Sequence, residues 1–345
     1  MQSKVFRFCA LLMAAVLLFS LAACGNNEQP LSEDQTVPTT VPTTEAPVRY
    51  MNLLTGEQNL ETPQNRPVAF MIGNAGYGSG YIQQKNIDKA DLYVEAETEG
   101  GIPRIMAVFG SIEKVPSEIG PVRSARTHFV KMAKALDAIY CHVGGSTQGK
   151  ALIKTLGVND LDSLTVVSSQ LKAANGATEH TKVFTLEKIN SAISSRKLST
   201  NTATKSPYTF GDKTGSGLGN KIQVATSSAY VCSFTYDANT GLYTKHRNNL
   251  SSPAHTSYDG DAITVKNVIV MYGNRFQEDS THISFTLASG SGLLVTGGTS
   301  REIKWTRTNN QLTYTEADGT PLTVAVGKTY ILLTSANLKS KTVLQ

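Results

Sequence analysis

Three glutamates, Glu95, Glu97 and Glu99, stand at alternate positions in the run YVEAETEGG (93–101). An extended chain places alternate side chains on one face, and carboxylates grouped in that way can share a divalent cation. Glu97 and Glu99 also have the spacing of a general acid and base pair. Downstream, GPVRSAR (120–126) sets Arg123 and Arg126 three apart where a helical pattern begins, so both guanidinium groups can converge on one anion or on those glutamates. Arg104 belongs to the same basic group. A guanidinium grips phosphate or carboxylate through two parallel hydrogen bonds, and Gly120-Pro121 forms a stiff corner that pre-organises the pair. The competing outcome is a salt-bridge network that fastens strand to helix.

A second group lies in CHVGGST (141–147). His142, at the end of an apolar run, is placed to shuttle a proton or donate to a phosphate. Gly144, Gly145 and Ser146 open a helical pattern whose first backbone N–H groups can hold an anion. A glycine turn capped by Ser146 and a histidine satisfied by backbone are the structural alternatives. The run GGSTQGKA (144–151) matches G-x-x-x-x-G-K, but Ala151 stands where a magnesium-holding Ser or Thr is required, so a nucleotide loop is not supported. Asn74, just past the apolar run Val68–Ile72, is a further ligand candidate, because α/β folds bind ligands beyond strand ends. No G-x-S-x-G elbow and no histidine pair at ligand spacing are present, so neither serine hydrolase chemistry, nor a metal, nor a cofactor is expected.

The elements that must position these residues alternate. Apolar runs at Val68–Ile72, Tyr93–Thr98, Ile105–Phe109 and Ala138–Val143 read as strands. Ala125, Phe129, Met132, Ala133 and Leu136 define one face of a helix, and Leu152, Ile153 and Leu156 define another that Gly157 closes. The spacing predicts an α/β domain with a mixed sheet over 51–198 and a Ser/Thr/Gly-rich linker over 199–220. A smaller β-rich domain is predicted over 221–338, where Tyr230, Cys232, Phe234 and Tyr236 share a face; the class is thus α+β or α/β. Trp305 is expected in its core. Cys141 and Cys232 sit in apolar runs and are expected as small buried hydrophobes, a disulfide being the alternative.

The start of the chain carries an address. Lys4 and Arg7 precede an apolar run, Phe8 to Phe19, and Leu21-Ala22-Ala23-Cys24 is similar to a bacterial lipoprotein cleavage pattern. Residues 1–23 are therefore expected to be a signal peptide, Cys24 the lipidated first residue and membrane lipid its partner, since the run is short for a bilayer span. Residues 24–50, rich in Thr and Pro, are expected to be a disordered tether that holds the body on the extracytoplasmic face of the cell membrane. The formal charge of +5 over 345 residues falls once Lys4 and Arg7 are removed, and no basic run remains to favour nucleic acid.

EAETEGGIPRIMAVFG (95–110), EIGPVRSAR (118–126) and DAIYCHVGGS (137–146), in that order, resemble the N-terminal domain of the YerB-like lipoproteins, a family catalogued as a domain of unknown function. TYDANTGLYTKH (235–246), KNVIVMYG (266–273) and SGSGLLVTGGTSREIKWTR (289–307) resemble the C-terminal domain of the same family. The resemblance implies an outward-facing, two-domain lipoprotein and brings no settled activity. It departs at Gly73, where the family tends to carry Asp, and at Thr127, where it tends to carry Pro. The residues together point to an Arg/Glu/Gly-Gly cleft that takes an anionic envelope ligand such as a cell-wall polymer, or an envelope protein. The alternative is an extracytoplasmic transferase or hydrolase on phosphate-bearing wall polymers, with Arg104, Arg123 and Arg126 clamping a diphosphate.

Overall fold

A strand that is apolar at every position must be covered on both faces, and Val68–Gly73 (β1) is buried throughout. In the computed structural model, which describes residues 47–77, 80–173 and 177–345, it lies inside one large mixed sheet. The signal segment, Cys24 and the tether up to residue 46 lie outside the described residues. The first half of the chain adds β2 (Leu92–Glu97), β3 (Pro103–Phe109), α1 (Thr127–Ala135), β4 (Ile139–His142), α2 (Thr147–Leu156), β5 (Asp160–Asp162) and α3 (Leu186–Ser195). The second half adds β6 (Lys221–Ala225), β7 (Val231–Asp237), β8 (Leu242–His246), β9 (Asn267–Gly273), β10 (Ser289–Thr296), β11 (Thr299–Thr308), β12 (Gln311–Glu316) and β13 (Thr329–Ser335).

The strand order is β5-β4-β1-β3-β2-β13-β9-β10-β11, with β12 and the short Gly217–Leu218 both pairing with β11. Strand β13 runs parallel to β2, Leu92 opposite Thr329 and Val94 opposite Ile331, and parallel to β9 on its other side. The two stretches expected as successive domains thus share one sheet, and residues 48–345 form one compact unit. The reason lies in β13 itself: all seven of its residues are buried, and such a strand needs a neighbour on each edge. Strand β2 supplies one of them. The expected linker is also built in, with Tyr208 buried and Thr209–Phe210 pairing in parallel with Thr323–Val324.

Alternation along the strands divides the core into two layers. Ala69, Met71, Val94, Met106 and Val108 face α1, α2, Trp305 and Tyr314. Phe70, Ile72, Tyr93, Ile105 and Phe109 face the other way, against Ile189 and Ile193 of α3 and against Val224, Phe234 and Tyr243 of a second sheet built on β6, β7 and β8. Helix α1 buries Phe129, Met132 and Ala133 as its periodicity requires. Helix α2 starts at the Ser146 cap and stops at Gly157, whose φ of 59° is the left-handed conformation that glycine adopts without strain. Cys141 and Cys232 are free and buried, so the disulfide alternative does not hold. No helix among the described residues is long and apolar enough to cross a membrane.

Candidate functional site

The three glutamates leave β2 for three different destinations. Glu95, 1 % exposed, points between the two sheets. Its carboxylate accepts from Asn74 Nδ2 at 3.3 Å, from Cys232 Sγ at 3.5 Å and from the Tyr330 hydroxyl, with Lys245 Nζ at 3.5 Å. Glu97 is gripped in bidentate fashion by Arg275, at 2.8 and 2.9 Å, and that hydrogen bond raises the arginine's pKa. Glu99 lies beyond the strand, in a turn where Gly100 and Gly101 take φ of 67° and 76°. The expected row of acids therefore ends at Glu97, because the chain leaves the two-residue period there. Glu97 and Glu99, expected as a shared-cation or acid–base pair, are each paired with arginine, Glu97 with Arg275 and Glu99 with Arg104 and Arg126.

Glu99 holds two arginines. Arg104 donates to it at 2.6 Å, and Arg126 donates through Nε at 2.8 Å and through a second, shorter bond. Burial alone raises the Glu99 carboxyl, but the Arg126 hydrogen bond and the charges of Arg104 and Arg126 outweigh it and hold the pKa at about 2. Arg104 is lowered to about 10, first by burial and then by the charge of Arg126, with Arg123 adding to the effect against Glu99. Three guanidinium groups thus feel one another around one largely buried carboxylate.

Arg123 is placed by backbone. Its N–H donates to Met71 O at 2.7 Å and its carbonyl accepts from Val143 N at 3.0 Å, so the segment bridges the ends of β1 and β4. Its side chain crosses Gly73, where an added Cβ meets Arg123 Cγ at 3.2 Å, and among the described residues its guanidinium reaches toward one carboxylate, the exposed Glu179, at 3.8 Å. Between these parts lies a cleft of about 180 Å³ lined by Gly73, Asn74, Ala75, Ile82, Thr98, Glu99, Ile102, Pro103, Arg104 and Arg123. Arg126 is buried behind Glu99 and does not line it.

Gly144, Gly145 and Ser146 are neighbours of the arginine segment but are not in the cleft lining. Ala125 N donates to Gly144 O at 3.0 Å, and Gly144 N donates to Asp162 Oδ1 at 2.7 Å. A Cβ on Gly145 meets the Ala125 methyl at 3.2 Å, so glycine allows the two loops to approach. Ser146 Oγ accepts from Gly149 N at 3.0 Å as the helix cap. Ser146→Ala is accordingly expected to cost about 1 kcal/mol in a urea denaturation series.

His142 is 1 % exposed, with Nδ1 2.8 Å from Gly144 O and Nε2 3.1 Å from Asp160 Oδ2. Both ring nitrogens face oxygen atoms, which makes the ring, expected as a proton shuttle, a strut between β4 and β5. The hydrogen bond from His142 is the main reason that the Asp160 carboxyl is lowered. Asp160 and Asp162 escaped the sequence reading, although their alternation along one short strand was the available signal. Lys245 and Arg275 escaped it too, because they come from the other half of the chain.

Residues 54–199 match a family described as "Protein of unknown function (DUF3048) N-terminal domain", and residues 221–331 match its C-terminal domain. The chain belongs to the DUF3048 family. It is 25% identical over 338 residues to a Bacillus subtilis (strain 168) protein named "Putative lipoprotein YerB", covering 96% of this chain and 95% of that one. The crystal structure of YerB from Bacillus subtilis superposes with a TM-score of 0.73 at 22% identity, over 86% of this chain and 100% of that one, which shows a shared fold. In DUF3048 terms the cleft belongs to the N-terminal part, while Lys245 and Arg275, which neutralise Glu95 and Glu97, come from the C-terminal part.

Proposed function

We propose that this DUF3048 protein is a lipid-anchored protein of the bacterial envelope, held to the cell membrane through Cys24 with its body on the extracytoplasmic face, and that its cleft binds an anionic envelope ligand. The anchor rests on the signal-like start of the chain and on the lipoprotein name carried by YerB. A phosphate-bearing group on a cell-wall polymer has the chemistry that the cleft calls for. The observation that carries the reading is the local charge: Arg104, Arg123 and Arg126 are close enough to lower the pKa of Arg104, and a single largely buried acid, Glu99, sits among them. An arriving oxyanion relieves that repulsion and gains charge-assisted hydrogen bonds in a partly desolvated site.

The transferase or hydrolase alternative needs an unengaged acid or base at the cleft. Glu99 is held by two arginines, Glu97 by Arg275, and His142 by Gly144 and Asp160, which weighs against it. Thermal shift on residues 48–345 tests the binding reading. Inorganic pyrophosphate and phosphate-bearing wall fragments at saturating concentration are expected to raise Tm by on the order of 5 °C. Arg123→Ala, which removes the least engaged cation, is expected to keep the unliganded Tm and lose that response. No shift with any anion in the wild type sinks the anion reading and leaves an envelope protein as the partner to seek.

A further inference from the structure

Resting on that anion-site reading, we infer that Glu99 is a tethered competitor: its carboxylate occupies the arginine subsite in the empty cleft, and it sets a threshold that only oxyanions carrying more than one negative charge can pass. Its geometry is that of a bound ligand. The carboxylate takes two hydrogen bonds from Arg126 and one from Arg104, the planar, bidentate arrangement by which arginine recognises carboxylates and phosphates. The side chain belongs to the cleft wall and keeps 27% of its surface exposed, while Arg126, at 7%, is sealed off behind it. The best oxyanion-binding fork of the site is thus covered by the protein's own acid.

The segment that carries Glu99 is built to let that acid leave. The turn is pinned at its base, where Thr98 N and Thr98 Oγ1 both donate to Ile102 O, at 2.9 and 2.7 Å. Between the pins stand Gly100 and Gly101, both at positive φ; among the described residues a Cβ added at Gly100 meets the tip of Ile102 at 3.9 Å, and one added at Gly101 meets Ser227 Oγ at 3.3 Å, so the freedom lies at Gly100. Glycine leaves the backbone torsions there free to change. Glu99 can therefore swing out without disturbing β2 or β3.

Charge then decides what displaces it. A monoanion that replaces Glu99 exchanges one carboxylate for another and gains nothing net from Arg104 and Arg126. A diphosphate brings the same bidentate oxygens together with further charge, for which Arg123 lies on the cleft wall with only the exposed Glu179 at 3.8 Å. The extra attraction offsets the loss of the internal pair, so the competitor converts a general anion site into one selective for pyrophosphate-like groups.

Isothermal titration of residues 48–345 with inorganic pyrophosphate, orthophosphate and acetate, on wild type and Glu99→Gln, tests this. The wild type is expected to bind pyrophosphate and to ignore acetate. Glu99→Gln is expected to bind pyrophosphate about tenfold tighter, the value of roughly one charged hydrogen bond, and to gain measurable acetate binding. Should Glu99→Gln prove too unstable without anion, Glu99→Asp, which keeps the charge but is one methylene shorter, is expected to show a smaller gain of the same sign. Pyrophosphate binding that weakens or stays unchanged in both variants overturns the competitor and makes Glu99 part of the binding wall. Absence of binding to wild type and both variants removes the anion site itself.

Discussion

Lys245→Ala is expected to destabilise residues 48–345 by about 3–5 kcal/mol, the loss that follows when one partner of a buried ion pair is removed and the other stays behind uncompensated. Lys245 and Glu95 have side chains only 1% and 2% exposed, with Nζ 3.5 Å from the carboxylate. Removing the ammonium leaves the Glu95 charge facing Tyr330, Cys232 and Asn74, of which none is a cation. Burial, with the nearby Glu95 charge adding to it, keeps the Tyr330 hydroxyl and the Cys232 thiol well above their ordinary pKa values, so both stay neutral donors and bring no positive charge to the carboxylate.

The double substitution Glu95→Gln with Lys245→Met removes both charges and is expected to cost less than Lys245→Ala alone, because no uncompensated charge is left. Equilibrium urea unfolding of the wild type, both single variants and the double variant gives the coupling directly. A loss below about 1 kcal/mol for Lys245→Ala sinks the claim that this contact is buried in solution. The consequence reaches the whole fold. Glu95 is on β2 and Lys245 on β8, so the pair ties the main sheet to the second sheet, and its loss is expected to lower one cooperative transition instead of splitting it in two.

That single transition is what the sequence could not foretell. The strands β1, β3, β9 and β13 announce themselves as apolar runs, and α1 and α2 by the spacing of their buried faces and by Ser146 and Gly157. Parallel pairing of β2 with β13 leaves no local trace, because it joins segments such as Glu95 and Tyr330 that are 235 residues apart. One trace was nonetheless present. Lys245 follows Tyr243 by two along β8, and a lysine on the same face as a core tyrosine is out of place unless an acid awaits it across the interior. Glu95, two residues past Tyr93 on β2, is its counterpart. Period-two counting that treats charged residues as solvent-facing misses both.

The cleft was legible in part for a related reason. Arg104, Arg123 and Glu99 converge because each stands at or just past a strand end on the same side of the sheet, where loops gather. The glycine pair seemed to belong there by sequence proximity alone. In the fold, Gly145 serves the close approach of the α2 loop to Ala125, Gly144 takes a φ of 62°, and the cleft wall is instead supplied by the end of β1, at Gly73 and Asn74.

Acid is expected to destabilise the protein well before its carboxylates titrate, through His128. This ring is fully buried in α1, tilted at 42° against Phe129 with centroids 4.5 Å apart and edge-on to Phe285 at 5.5 Å, and neither nitrogen has a hydrogen-bond partner among the described residues. Burial, together with the charges of Lys131, Arg126 and Arg104 and against that of Glu99, lowers its pKa from 6.5 to about 3. The unfolded chain therefore takes up a proton below pH 6.5 that the native state refuses until about pH 3. Stability is full above 6.5 and falls by roughly 1.4 kcal/mol per pH unit below it, reaching about 2 kcal/mol at pH 5. His255, lowered in the same direction by burial and by Lys245 and Arg247, adds to the slope. Glu99 acts in a lower window, since a carboxyl held at about 2 contributes stability that is lost only as pH drops below its usual 4.5. Urea midpoints at pH 7 and pH 5 separate the two. His128→Met keeps an apolar side chain of similar size and removes both unpartnered nitrogens, so the variant is expected to match or exceed the wild type at pH 7. Its loss between pH 7 and pH 5 is expected to be smaller by about 2 kcal/mol. An unchanged loss would place the acid sensitivity elsewhere and would mean that His128 finds a proton-stabilising partner in solution.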